Sequence, residues 1–415
     1  MNLIRLASLV VVGACGTSAA LAAAPLRLQE AVSRALAAHP SITAETAQLQ
    51  AIRARTQREA LPPPYTIGGE VGNFAGNGNL RGIRSAETTL RIGRVIELGG
   101  KREARQTLGQ AELKEQEHQA TKTRMDLASS TTTRFIEVLA RQQRLTYAEE
   151  RIKQAERTRQ EVAAWVKAAR NPESDLQAAE IAVAEAELHR ESAKHELASA
   201  KMTLAASWGA TAPDFGEVGG DLQTLPTVAP FETLAARLPM TPELWASRLR
   251  ADTIGARRQL AQAEAKPNID VSLGVRRLEA YKDHGIVMSI SVPLGGPTRS
   301  GYAVSQANAE LAALESRRDA DRFERHQVLF DKYQELMRAR TEAESLRARM
   351  LPMAESALTT TRRGFEQGRF SYLSLAQAQR TLFDLRARAV EAAARYHLLL
   401  VEVERLTATV EDTAP

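Results

Sequence analysis

Cysteine and aromatic residues are both scarce in this sequence of 415 residues. The single cysteine, Cys15, excludes an intramolecular disulfide framework and a thiolate zinc site. Lys and Arg number 55 against 50 Asp and Glu, and this small excess, without a basic block, does not indicate nucleic acid. After the first two dozen residues no run of 18 apolar residues exists, so no membrane-spanning helix is predicted.

What is abundant is Ala, Leu, Glu, Gln and Arg, while aromatic residues make up only 5%. This mixture is typical of long helices and coiled coils. The composition alone leaves two classes open, a soluble helical rod and a β-type membrane protein.

The first 24 residues have the pattern of a secretory signal peptide, with Arg5 before an apolar stretch and small residues after it. Two cleavage sites are compatible with the pattern. Val12-Gly13-Ala14-Cys15 resembles a bacterial lipobox, which would make Cys15 the lipidated first residue of the mature chain. Ala20-Leu21-Ala22 fits ordinary signal peptidase, and cleavage there would remove the cysteine. Cleavage at either site predicts export from the cytoplasm.

The rest of the chain is an internal repeat. Val95-Ile96-Glu97-Leu98-Gly99-Gly100-Lys101-Arg102 returns as Ser291-Val292-Pro293-Leu294-Gly295-Gly296-Pro297-Thr298-Arg299, at an offset of 196 residues. Asp175-Leu176-Gln177-Ala178-Ala179-Glu180 is matched by Tyr372-Leu373-Ser374-Leu375-Ala376-Gln377, at an offset of 197 residues. The predicted division is a first repeat over 25–208, a linker over 209–230, a second repeat over 231–407 and a tail over 408–415.

Each repeat is predicted to contain a helix, two strands, a long helix and a shorter returning helix. In the first repeat these are a helix over 28–60, strands over 66–74 and 86–92, and helices over 101–169 and 175–208. The second repeat has strands over 269–275 and 286–292, separated by a polar loop around Asp283. Its long helix covers 300–367, its returning helix covers 371–406, and the total is four strands.

Apolar and small residues in the second repeat recur in alternating steps of three and four, which predicts left-handed coiled coils. One line is Leu336, Ala339, Ala343, Leu346, Met350, Met353, Ala357, Thr360 and Gly364. The returning helix has the line Leu373, Ala376, Arg380, Phe383, Ala387, Val390, Ala394, His397 and Val401. Pro352 lies inside the long helix and is expected to kink it or to displace a hydrogen bond.

Four strands are too few to close a barrel in lipid, where an open edge leaves backbone groups unpaired. If these strands span a membrane, several copies of the chain must contribute to one barrel. Two copies would give eight strands and three would give twelve, and the spacing alone does not choose.

The duplicated order of elements after a secretory signal resembles the outer-membrane factor family typified by TolC. Ile96-Glu97-Leu98-Gly99-Gly100-Lys101-Arg102, Leu351-Pro352 and Gly368-Arg369-Phe370-Ser371-Tyr372 are similar to its cobalt–zinc–cadmium resistance branch. The resemblance implies a mainly α fold with a small β part, assembled as a homotrimer. Its four strands per chain would form a twelve-stranded outer-membrane β-barrel, continued by a coiled-coil α-helical barrel across the periplasm of a Gram-negative bacterium.

The same resemblance implies a passive exit duct rather than an enzyme. Its partners would be a periplasmic adaptor (membrane fusion protein), an inner-membrane resistance-nodulation-division (RND) pump and outer-membrane lipid. The predicted periplasmic tip, where the adaptor would bind, consists of Asn171, Pro172, Asp175, Leu176, Gly364, Gly368, Arg369, Phe370, Ser371, Tyr372 and Leu373. These residues are equally compatible with simple turns.

Two further sets of residues follow from the resemblance. Alignment with TolC places Ser374 and Gln377 where that protein carries aperture carboxylates, so Asp175 and Glu180 are the alternative acidic aperture candidates. Asp175 also fits an ordinary helix start. Gly99, Gly100, Gly295 and Gly296 are the predicted strand-to-helix corners.

No metal or cofactor site is predicted, because the seven histidines show no ligand spacing. No credible nucleophile–base arrangement is found either. Heavy-metal cations as cargo therefore rest on the family branch alone. Drugs or a secreted polypeptide are alternative cargoes, and a periplasmic coiled-coil adaptor that conducts nothing is the alternative class.

Overall fold

The computed structural model describes residues 25–409. The predicted signal peptide with Cys15 and the last six residues of the predicted tail lie outside this range.

The first half of the chain contains three strands and four helices. In chain order they are β1 (Leu26–Arg27), α1 (Leu28–Ala38), α2 (Pro40–Glu59), β2 (Tyr65–Gly72), β3 (Glu87–Ile96), α3 (Lys101–Lys167) and α4 (Glu173–Ala205). Short 3₁₀ turns lie between β2 and β3 and after α4.

The second half repeats this order after a connection with little regular structure. Its elements are β4 (Val218–Gly219), α5 (Phe231–Ala235), α6 (Pro242–Glu264), β5 (Ile269–Leu278), β6 (Asp283–Ser291), α7 (Gly296–Ser345), α8 (Leu351–Glu366) and α9 (Tyr372–Thr407). A π-helical turn, Leu346–Met350, joins α7 to α8.

Three local expectations were wrong. The helix predicted over 28–60 is two helices, because His39 is extended and Pro40 begins a new helix, as proline at a first helical position favours. Asp283 belongs to β6, and the loop before it covers 279–282. The described residues hold six strands rather than four, since β1 and β4 form a separate parallel pair.

The four longer strands form one antiparallel sheet in the order β2-β3-β5-β6. Each half of the chain contributes one hairpin, and the two hairpins join where β3 pairs with β5. This pairing runs from Glu87 opposite Leu278 to Ile96 opposite Ile269. The predicted pair of strands in each half is therefore confirmed, with the two pairs forming one sheet.

The helices pack around α3, which contacts α2, α4, α6 and α9. Near the middle of α3, its Phe135 and Val138 pack with Ala31 of α1 and Leu204 of α4 in one buried cluster. The shorter helices α1 and α4 thus meet end to end beside the long helix α3. No helix within residues 25–409 combines the length and the apolar character needed to cross a membrane.

The π-helical turn shifts the coiled-coil line of the second long helix by one residue. Leu336, Ala339, Ala343 and Leu346 are buried as expected, but the next predicted positions, Met350, Met353, Ala357 and Thr360, are exposed. Below the turn the protected positions are instead Leu351, Ala354, Leu358, Thr361 and Phe365. A π turn accommodates one extra residue, and Leu351 N–H donates to the carbonyl of Leu346, five residues earlier. The prediction was wrong from Met350 to Thr360 for this reason.

The line predicted along the returning helix was also displaced near its start. Leu373 is 74% exposed and Arg380 is exposed, whereas the neighbouring line is buried. That line begins with Tyr372, Leu375 and Leu382 and continues through Ala389, Tyr396 and Val403. Farther along, Val390 and Ala394 of the predicted line are buried as well, because α9 contacts both α3 and α7.

Candidate functional site

The four-stranded sheet has one apolar face. Because side chains alternate across a sheet and the strand register is fixed, one face carries aliphatic residues from all four strands. It consists of Tyr65, Ile67, Gly69 and Val71 on β2, Thr88, Leu90, Ile92, Arg94 and Ile96 on β3, Ile269, Val271, Leu273, Val275 and Arg277 on β5, and His284, Ile286, Met288 and Ile290 on β6.

This apolar face is not covered by any part of the described chain. Ile67 and Ile286 are each 82% exposed, and Leu90, Leu273 and Met288 are exposed too. At the helix-side end, the Arg94 guanidinium lies 4.9 Å from the centre of the Tyr65 ring and donates to its hydroxyl at 3.2 Å. An exposed apolar patch of this extent indicates contact with lipid or protein.

The opposite face of the sheet is polar and rich in small residues. Arg91 pairs with Glu70 at 3.3 Å, and Arg276 pairs with Glu87 at 3.1 Å. A β-carbon added at Gly274 would lie 2.5 Å from the Leu90 carbonyl oxygen, so the strand needs glycine there. A sheet that is apolar on one face and polar on the other can separate lipid from water.

Both edges of the sheet are free. β2 pairs only with β3, and β6 pairs only with β5, within residues 25–409. An edge strand presents unpaired N–H and C=O groups and is a ready template for another strand. In hydrocarbon such groups must be satisfied.

The predicted corners join this sheet to the long helices. Gly99, Gly100 and Gly295 are left-handed, with φ of 85°, 71° and 95°, whereas Gly296 is not and is the first residue of α7. The two corners therefore differ by one residue in where the helix starts. β-Carbons at Gly99 and Gly296 would each lie 2.9 Å from a carbonyl oxygen near the end of α6, so both corners approach that helix too closely for a side chain.

The first corner is also held by an ion pair that the sequence reasoning missed. Arg105 donates to both carboxylate oxygens of Glu97, at 2.6 and 2.8 Å, and to the carbonyl of Glu59 at 2.9 Å. The hydrogen bond from Arg105 lowers the pKa of Glu97. The sequence signal for this ion pair is Glu97 in the strand-to-helix motif, followed by an arginine one helical turn beyond the corner.

The first predicted tip turn lies between α3 and α4. Ala169 is left-handed, with φ of 56°, and Arg170 N–H donates to the carbonyl of Trp165 at 2.8 Å, which closes the helix end. Pro172 follows and is the residue immediately before α4. The Asn171 side-chain amide then donates to the Asp175 carboxylate at 2.7 Å.

The second tip turn lies between α8 and α9. Gly368 is left-handed, with φ of 70°, and the N–H groups of Arg369 and Phe370 both donate to the Gly364 carbonyl. The Ser371 hydroxyl accepts from Ser374 N–H at 3.3 Å and caps α9. A β-carbon at Gly364 would lie 2.1 Å from the Phe370 ring, so this position has no room for a larger residue.

The two turns meet in three dimensions. The rings of Trp165 and Phe365 stack with centroids 4.6 Å apart and planes inclined by 15°. Phe365 is only 1% exposed and belongs to a cluster with Val162, Ala179, Tyr372 and Leu375. Burial, with the Asp175 carboxylate nearby, raises the pKa of Tyr372. A groove lies between the turns, lined by Arg170, Asn171, Pro172, Asp175, Gln367, Gly368, Arg369 and Phe370 among others.

The structure thus brings the two halves of the predicted tip together. Leu176 packs against the tip cluster, Asp175 is half-buried, and Glu180, Ser374 and Gln377 are exposed. Trp165 and Phe365 were not selected from the sequence, although aromatic residues are rare and each lies within one or two turns of a predicted helix break. No group of three or more His, Cys, Asp or Glu residues able to hold a metal ion occurs within 25–409.

Comparison with known proteins finds a family model and a relative that are similar to this chain. Residues 237–409 match the family model described as outer membrane efflux protein. The chain is 29% identical over 388 residues, 93% of its length and 90% of the relative's, to the cobalt-zinc-cadmium resistance protein CzcC of Cupriavidus metallidurans. The chain is thus similar to outer membrane efflux proteins in its second half and to CzcC over nearly its whole length.

Solved structures show a similar fold. A membrane protein from Pseudomonas aeruginosa superposes with a TM-score of 0.76 at 17% identity, over 94% of this chain and 91% of that one. The Neisseria gonorrhoeae MtrE outer membrane channel in its open state gives 0.74 at 15% identity, over 94% and 91%. The predicted mainly α fold with a small β part is confirmed. The matched family model describes outer membrane efflux proteins rather than enzymes.

Proposed function

We propose that this protein is the outer-membrane exit duct of a tripartite efflux pump in a Gram-negative bacterium. The observation that carries the proposal is the sheet with one exposed apolar face, one polar face and two free edges. The apolar face lies in the lipid of the outer membrane, and the polar face lines the water-filled path.

Three copies complete the wall. The free edge of β6 in one copy pairs with the free edge of β2 in the next, so that three sheets of four strands close a twelve-stranded barrel. Eight strands from two copies would also close, but the family resemblance supports three. The helices continue the barrel as a coiled-coil tunnel through the periplasm, built from the repeats at 25–208 and 231–407 and the linker at 209–230.

The helical tip is the end that meets the rest of the pump. The grooved tip formed by the two turns binds the periplasmic adaptor, which connects it to the inner-membrane RND pump that supplies the energy. Phe370 and Leu373 are exposed apolar side chains there, as expected for residues that contact a partner. Asp175, Glu180, Ser374 and Gln377 are the candidates to line the aperture.

Heavy-metal cations are the proposed cargo. The support is the similarity to a cobalt-zinc-cadmium resistance protein. Drugs or a secreted polypeptide would use the same duct without a change in its architecture.

Deletion of the gene tests both duct and cargo. We expect tolerance of zinc, cobalt and cadmium to fall and the tolerance of several antibiotics to stay unchanged, with restoration by the wild-type gene. Loss of antibiotic tolerance alone would overturn the metal cargo and keep the duct. Unchanged tolerance of every compound, together with recovery of the protein in the soluble periplasmic extract, would overturn the duct.

A further inference from the structure

Below the π-helical turn, one line of α8 lacks a partner within the chain. Met350, Met353, Ala357 and Thr360 follow coiled-coil spacing, yet all are exposed, and Met353 is 69% exposed. Leu351, Ala354, Leu358 and Phe365 take the buried side of the helix instead. We call the four exposed residues the α8 stripe. Its spacing is that of a helix that packs on another helix.

A second exposed line with the same spacing lies on α4. Ile181, Ala184 and Leu188 are separated by steps of three and four, and Leu188 is 69% exposed. The buried positions of this helix, Ala179, Ala186 and Ala193, lie on its opposite side, where α4 packs on α3. We call the exposed line the α4 stripe.

The two stripes lie at the same height above the tip. The stacked rings of Trp165 and Phe365 set the common level, and Leu176 packs in the same cluster. Met353 lies 12 residues before Phe365, and Leu188 lies 12 residues after Leu176. At 1.5 Å per residue both are about 18 Å from that level, and the two helices run in opposite directions.

The charges beside the stripes are complementary. Residues 173–191 of α4 include six acidic residues and one arginine, whereas residues 346–366 include four arginines and two glutamates. Glu180, Glu185 and Glu187 have no ion pair within the described chain, and neither have Arg349 and Arg363. Opposite charges flanking an apolar line determine partner and register in coiled coils.

We propose that the α4 stripe of one copy packs against the α8 stripe of a second copy of this chain. Leu188 meets Met353, Ile181 meets Thr360, and Glu180 faces Arg363. Because the two surfaces differ, the contact is heterologous and closes a ring. The inference rests on the proposed three-copy assembly and specifies which helix faces hold it together.

Paired cysteines test this contact. The double variant Leu188→Cys and Met353→Cys is oxidised in outer-membrane fractions and run on a denaturing gel without reductant. We expect the monomer band to be lost in favour of disulfide-linked dimers and trimers, reversed by reductant. Either single variant, and Leu188→Cys combined with Glu355→Cys two residues away on another side of α8, should remain monomeric. Equal linking by the control pair would overturn the proposal.

Charge reversal supplies a readout independent of the cysteines. Arg363→Glu should lower the temperature at which the oligomer dissociates, and adding Glu180→Arg should restore it. No change with Arg363→Glu, or no restoration, would overturn the pairing. A trimeric mass in detergent without the Leu188–Met353 link would reject this contact and leave the duct intact. A monomeric mass for the wild-type protein would reject the proposed assembly itself.

Discussion

The two descending helices of this protein run from the sheet to the tip, but only one is regular throughout. α3 is an uninterrupted α-helix from Lys101 to Lys167. Its counterpart is divided by the π turn Leu346–Met350, two residues before Pro352. Proline has no N–H to donate, and its ring clashes with the carbonyl four residues earlier. A π turn relieves both conflicts by widening the helix locally.

In the second descending helix, one inserted residue changes which side chains are exposed without changing the course of the helix. Leu336, above the turn, and Leu346, its first residue, are buried, whereas Met353, below the turn on the same heptad line, is exposed. α3 has no such irregularity, and it contacts α2, α4, α6 and α9. Of the two descending helices, the one with the π turn is therefore the one with an exposed apolar line.

The largest expected effect is a difference in unfolding free energy between two single-residue deletions. Each deletion is combined with Pro352→Ala. Deleting Ala348 should convert the π turn into regular helix and leave Ala354, Leu358 and Phe365 buried. Deleting Ser356 instead rotates one part of α8 by about 100° relative to the other and should cost on the order of 4 kcal/mol or more. Denaturant unfolding in detergent measures both, and equal costs would show that the turn does not set the register.

Gly364→Ala should have the next largest effect. The added β-carbon would lie 2.1 Å from the Phe370 ring, so we expect a loss of about 1–3 kcal/mol in unfolding free energy. Lys167, 197 residues earlier, is exposed at the end of α3, and Lys167→Ala should stay within about 0.5 kcal/mol of wild type. Similar losses of unfolding free energy at both positions would contradict the difference in packing between the two tip turns.

The left-handed residues of the two tip turns should respond in opposite directions. Gly368→Ala introduces a side chain where φ is 70°, while Ala169→Gly removes one where φ is 56°. A β-carbon is disfavoured in this conformation, so we expect about 1 kcal/mol of destabilisation for the first and a similar gain for the second. Changes of the same sign in thermal unfolding would refute this account.

The smallest effect concerns acid stability at the corners. The hydrogen bond from Arg105 depresses the pKa of Glu97 in the folded state, so its stabilisation is present above the ordinary glutamate pKa and is lost as pH falls through the folded-state pKa. Glu97→Gln should cost at most about 1 kcal/mol near pH 7 and flatten the acid side of the stability profile. The second corner has Pro293 and Gly301 at the matching positions. A stabilising or pH-independent effect of Glu97→Gln would be the contrary result.

The sequence predicted the repeated order of elements, the strand pairs and both tip turns, because these depend on local signals. Glycine pairs mark the corners, Asn171-Pro172 and Gly368 mark the turns, and alternation marks the strands. The break at Pro40 was missed although its proline was visible. β1 and β4 are two residues long and offer no periodicity to detect.

What escaped prediction depends on contacts between distant parts of the chain. The stack of Trp165 on Phe365 joins residues from different repeats, and no local pattern links them. The heptad line through Met353 is present in the sequence. Its exposure, however, depends on the π-type hydrogen bond from Leu351 N–H to the Leu346 carbonyl. The start of α7 at Gly296, one residue earlier in the repeat than the start of α3, was not predicted either.

Conductance of the purified protein in planar lipid bilayers tests the duct most directly. If three sheets close around a polar lumen with their apolar faces in lipid, the wild-type protein should give discrete, ohmic conductance steps. Leu273→Lys, which places a charge within the apolar face, should reduce the number of insertions, whereas Ser272→Lys on the polar face should allow insertion. Protein that is folded and trimeric in detergent but never conducts would contradict the central claim.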